Sequence, residues 1–186
     1  MENPRTLDTV KEVLDAIARE FSYSFGVKAP ALGRTLGEIE ASKKFIISDR
    51  CTEESILIAS RLKKAEIETE IVQKLKKNAL GIPFPHFSAG FAIGQENYEI
   101  GFNRGYLRVS HATYLGNKPG VTRLPFNLRE NQSLADMVDR KVARLAGIRK
   151  AWNKVRPRAW PLPVNRRKDQ KKLQFLNDAL KRRIVK

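Results

Sequence analysis

Cysteine and histidine are nearly absent from this chain. A single cysteine, Cys51, in 186 residues excludes an intramolecular disulfide framework and any multi-cysteine zinc site. The two histidines, His86 and His111, stand far apart, with no His-x-x-x-His or Cys-His spacing, so neither a metal site nor a histidine–metal nuclease finger is expected. No Gly-x-x-x-x-Gly-Lys loop offers a phosphate cradle, and no cofactor is expected. No apolar run approaches the ~20 residues of a bilayer span. The opening MENPRTLDTVKEVLDAIARE is amphipathic and mixed in charge, without the continuous apolar core of a secretory leader. These absences point to an intracellular, soluble protein, cytoplasmic or nucleoid or nuclear, not secreted and with no membrane partner.

Acidic side chains are also short in supply, 20 against 36 Lys and Arg, and the net charge of +16 is unevenly placed. Residues 1–80 hold 14 basic and 13 acidic side chains, and residues 81–120 hold 3 and 2. Residues 121–186 hold 19 and 5, a net of +14. Such a density of cations repels itself in a compact chain, whereas a polyanion neutralises it and releases counterions. Nucleic acid is the expected partner, DNA ahead of RNA. An apolar fraction of 41%, with nine Phe, four Tyr and two Trp, is enough to fold.

Leu7, Val10, Leu14, Ile17 and Phe21 form one helical stripe, and SYSFGVKAPALG after them reads as a loop. KFIIS (44–48) fits either a buried strand or a helix end. From Thr52, a candidate N-cap, to about Leu80 the pattern predicts a second helix, apolar at Ile58, Leu62 and Ala65, then at Ile67, Ile71 and Leu75, and stopped by Gly81 and Pro83. IPFPHFSAGFAIG reads as a loop followed by strands, then YEIGF (98–102), GYLRVS (105–110) and VTRLPFNL (121–128) as an antiparallel sheet. Ser133 with Asp136 caps a helix expected from Leu134 to about Val155 and packed on that sheet. After the extended PRAWPLP, Leu173, Leu176, Leu180 and Ile184 stripe a basic helix that docks on the body or forms on binding. The fold class expected is α+β: a near-neutral helical region (1–80) that packs, self-associates or meets a protein partner, a sheet-plus-helix nucleic-acid-binding unit (81–156), and a basic tail (157–186).

Alternation puts Tyr106, Arg108, Arg123 and Asn127 together on the sheet face away from the helix, with Arg104 and Arg129 at its margins and Lys118 at the turn. Arg140, Arg144, Lys150 and Lys154 lie on the following helix. Arg156, Arg158, Arg166, Arg167, Lys168, Lys171 and Lys172 continue into the tail. Arg bonds a guanine edge bidentately and Asn an adenine edge, and the same groups clamp phosphates. Pro125 lacks a strand donor, which suits only an edge or a bulge.

The stretch from Asn103 to Trp152 resembles the integrase-type DNA-binding domain of plant ethylene-response factors, phage integrase arms and homing-endonuclease modules. The resemblance covers about residues 103–152: Gly105 and Tyr106 match the family's opening strand, 122–128 its later strand, and Ala135, Val138, Val142, Ala143 and Ala146 its packing helix. It implies a three-stranded sheet lying in the major groove.

Two rival functions remain at this stage. In an RNA-binding or ribonucleoprotein component, Tyr98, Tyr106, Tyr114 and Trp160 would stack on bases. A phage or mobile-element nuclease would need clustered carboxylates. Glu38 and Glu40 with Lys43 and Lys44, or Glu66, Glu68 and Glu70, fit that pattern poorly, and no catalytic residue is expected.

Overall fold

The computed structural model describes residues 4–25, 32–47, 50–77, 81, 83–93, 96–103, 106–112, 121–148 and 166–181. Helix α1 (Pro4–Glu20) forms as its stripe dictates, with Val10, Leu14 and Ile17 buried and Phe21 closing the turn after it. The segment expected as a loop begins instead with strand β1 (Ser22–Ser24), which buries Tyr23 and pairs parallel with β2 (Lys44–Ile46), Tyr23 opposite Phe45. That pairing settles KFI as a strand. Between them α2 (Leu36–Ser42) carries a capping box: Thr35 Oγ1 accepts from the Glu38 N–H at 3.2 Å and Glu38 Oε2 from the Thr35 N–H at 2.8 Å.

Helix α3 (Arg50–Lys64) is shorter than the 52–80 helix the spacing predicts, and Thr52 lies inside its first turn rather than capping it. It stops at Glu66, whose φ of 62° is left-handed. The Glu66 N–H donates to Lys63 O and the Ile67 N–H to Leu62 O, both at 3.0 Å, which is the Schellman ending with glutamate where glycine is usual. The chain then reverses into strand β3 (Thr69–Lys77), antiparallel to both its neighbours.

Strands β4 (Pro83–Ile93), β5 (Glu96–Asn103), β6 (Tyr106–Ala112) and β7 (Val121–Pro125) complete a five-stranded antiparallel sheet in the order β6-β5-β4-β3-β7. Ile71, Ala89, Phe87, Phe91 and Ile100 line its covered face and are buried. Helix α3 covers them, and Thr69 Oγ1 donates to the Ala59 carbonyl at 3.1 Å across that interface. Two expectations are corrected here, and one boundary is located. The IPFP segment opens a strand rather than a loop, because β5 pairs with β4 only from Ala89 onward and leaves Pro83 and Pro85 beyond the stretch where that neighbour needs donors. The strands read as one hairpin, β6 and β7, are opposite edges, since β3 from the supposed helix takes the place beside β7. The boundary drawn at residue 80 falls in the connection between two hydrogen-bonded neighbours, β3 and β4. Pro125 is the last residue of an edge strand, as its missing donor requires.

The helix expected over 134–155 is two pieces: a 3-10 turn (Leu134–Asp136), then α4 (140–148), which Asp139 restarts by accepting the Val142 N–H at 2.9 Å. Ser133 and Asp136 form the expected box, the Ser133 N–H donating to Asp136 Oδ2 at 2.7 Å. Residues 149–155 lie outside the described residues. Helix α5 (Arg166–Lys181) docks on the body with Leu176 buried. The fold is α+β, with α3 covering the sheet and Val142 and Ala146 of α4 buried in the same core.

Candidate nucleic-acid interface

The sheet face away from α3 was expected to present arginine and asparagine to a groove. By register it carries Arg123 on β7, Glu70, Val72 and Lys74 on β3, Ser88 and Gly90 on β4, Glu99 on β5 and, at the far edge, positions 106 and 108 on β6. Positions 106 and 108 are thus four strand spacings from Arg123, roughly 19 Å. They do not form one cluster with it.

Among the described side chains, Arg123 and Lys74 on this face are paired with carboxylates. The Arg123 guanidinium donates to Glu70 Oε1, and Lys74 Nζ donates to Glu99 Oε2. Ser88 Oγ adds a hydrogen bond to Glu99 Oε1 at 2.5 Å. Burial works to raise the Glu99 carboxyl, but the Lys74 and Ser88 hydrogen bonds, with the charges of Lys74 and His86, outweigh it and hold the group below its ordinary value. At Glu70 burial wins over the charge and hydrogen bond of Arg123, Glu68 adds repulsion, and the carboxyl sits above its ordinary value. The Glu70 side chain lies over Gly90, where a Cβ would come within 2.9 Å of both Glu70 Cγ and Val72 Cγ2. At one end of the sheet a depression of about 230 Å³ is lined by Glu68, Glu70, Asn97 and Pro125, the wrong sign for a phosphate.

The exposed cations lie elsewhere. Arg129 follows β7, Arg140, Lys141 and Arg144 stand exposed on α4 opposite the buried Val142 and Ala146, and Lys171 is exposed on α5. Asn127 is exposed just beyond the end of β7. Arg166, Arg167, Lys168 and Lys172 are positions of α5. Arg104, Lys118, Lys150, Lys154, Arg156 and Arg158 lie outside the described residues, as do Tyr114 and Trp160. Tyr98, expected to stack on bases, is buried instead and stacks on Phe91 at 5.2 Å.

Of the two carboxylate groups, Glu68 and Glu70 come together at the depression, where Arg123 pairs with Glu70, while Glu38 and Glu40 are drawn apart. Glu40 is held with Glu20 by Arg61 and Lys43, at 2.8–3.3 Å, and Glu38 closes the α2 cap. Among the described residues no three His, Cys, Asp or Glu gather as a metal site, and no helix is long and apolar enough to cross a membrane.

Sequence reasoning missed the pairing of Glu70 with Arg123 and of Lys74 with Glu99, and the close approach at Gly90. The available signal was the two-residue alternation in TEIVQKLKK, obscured because Val72 puts an apolar residue on the charged face. No protein-family model matches this chain, and neither a curated protein nor a solved structure does.

Proposed function

We propose that the protein binds nucleic acid without acting on it catalytically, double-stranded DNA ahead of RNA, through the basic C-terminal third. The carrying observation is the net charge of +14 over residues 121–186, with Arg129, Arg140, Lys141, Arg144 and Lys171 exposed. The two ion pairs on the open sheet face favour α4 and α5 over the sheet, which the sequence suggested, as the contact surface. The burial of Tyr98 removes one of the four aromatics on which single-stranded RNA would stack, which favours a duplex. The test is a titration of the full chain with duplex DNA, single-stranded DNA and structured RNA at equal salt. Preference for RNA would transfer the reading to a ribonucleoprotein role, and nicking of a plasmid with Mg²⁺ to a nuclease.

A further inference from the structure

Asn177 on α5 treats Tyr23 as a neighbouring strand would. Its Oδ1 accepts the Tyr23 N–H at 2.6 Å and its Nδ2 donates to the Tyr23 carbonyl at 3.4 Å. On the other side of β1 the Ser22 N–H donates to Lys43 O, and the Ile47 N–H to Ser24 O. The amide therefore completes the backbone bonding of β1 on the edge that β2 does not reach. A side-chain amide aligned with one peptide unit fixes the rotation of its helix as well as its position, which an apolar contact alone does not. Leu176, with 2% exposure, and the half-buried Leu173 are the only other described side chains of α5 in the core.

That rotation sets where the charge of α5 points. Leu173, Leu176 and Asn177 share the docked side. Three and four residues apart along the opposite side run Lys171, Gln174, Phe175 and Asp178, all exposed, and the same period puts positions 167 and 168 on that stripe. Helix α5 has six Lys and Arg against two Asp.

We infer that Asn177 is a positioning residue: by docking α5 on the Tyr23 backbone it sets the helix rotation so that the stripe through 167, 168 and the exposed Lys171 forms one phosphate-binding face. The inference rests on the nucleic-acid reading above and deepens it. A preorganised face binds more tightly than the same charges on a loose arm, because the ordering cost is met before the ligand arrives. The number of phosphates neutralised depends on the charges and not on the docking.

The experiment compares the full chain with Asn177→Ala and with a triple Arg167→Gln, Lys168→Gln, Lys171→Gln variant, using a duplex DNA of fixed length. Asn177→Ala is expected to speed hydrogen exchange in α5 but not in α3 or the sheet, and to lower affinity several-fold at an unchanged salt slope. The triple variant is expected to keep the exchange of the parent and to reduce the salt slope by about 2–3. Unchanged exchange in Asn177→Ala overturns the docking role. Faster exchange with unchanged affinity, or an unchanged slope in the triple variant, overturns the phosphate face. Failure of the parent chain to bind any nucleic acid overturns the functional reading and the face with it, while exchange alone still decides whether Asn177 docks α5.

Discussion

Arg34 closes a buried ion pair on Glu53. Its Nη1 lies 3.0 Å from Glu53 Oε1, with 11% and 3% of the two side chains exposed. The same carboxylate accepts the Ile46 N–H at 2.6 Å, and Arg34 Nη2 donates to the Glu38 carbonyl and to Ser42 Oγ. One arginine thus joins the start of α3, strand β2 and helix α2. Removing one partner of such a pair leaves a charge buried alone, so Arg34→Met is expected to cost about 3–5 kcal/mol in denaturant unfolding. A loss under about 1 kcal/mol would mean the pair behaves as a surface one.

Gly90 is required by close approach rather than by a turn. Its missing Cβ leaves room for the Glu70 chain and for Val72 Cγ2. Gly90→Val is expected to destabilise by about 1–3 kcal/mol through overpacking. Gly147, where a Cβ meets nothing within 4 Å, is the control, and its substitution by Ala should be neutral or stabilising.

Glu66 ends α3 in a left-handed conformation that strains any residue with a Cβ. Glu66→Gly is expected to raise stability by about 0.5–1 kcal/mol, and Glu66→Val to lower it. A melting temperature that falls in the glycine variant would show that the Glu66 side chain contributes more than the strain it carries.

Acid sensitivity follows from carboxylates held low in the folded state. Hydrogen bonds from Arg61, with those from Lys43, outweigh desolvation and lower both Glu20 and Glu40, and Glu99 is also lowered. A lowered folded pKa means stability that is present above the ordinary value of 4.5 and lost as pH falls through the folded value. Glu70, raised by burial, acts in the opposite sense: its contribution is present below its unfolded value and fades as pH rises through its folded one. Arg61→Leu releases Glu20 and Glu40, so its melting temperature should fall less than the parent's between about pH 5 and 3. Equal acid losses in the two proteins would contradict the assignment.

The residues explain which parts of this fold were legible. The α1 stripe, the β5 and β6 segments, the Ser133–Asp136 box and the edge position of Pro125 follow from local periodicity, caps and a missing donor. Ile67, Ile71 and Leu75 misled because residues four apart share a face in both a helix and a strand. No glycine marked the break at Glu66. The strand order was hidden for a different reason: Arg123 and Glu70 are 53 residues apart, and nothing local says that β3 sits between β4 and β7. The location of the charge was fully legible. Its neutralisation on the sheet face was not, because that depends on which acidic residue lands beside which cation.

The central claim is that the basic C-terminal third binds a polyanion electrostatically. Affinity of the full chain for duplex DNA, measured across salt concentrations, tests it most directly. The expected result is binding at low salt with the logarithm of affinity falling linearly as the logarithm of salt rises. Absence of binding at low salt, or an affinity independent of salt, would contradict it.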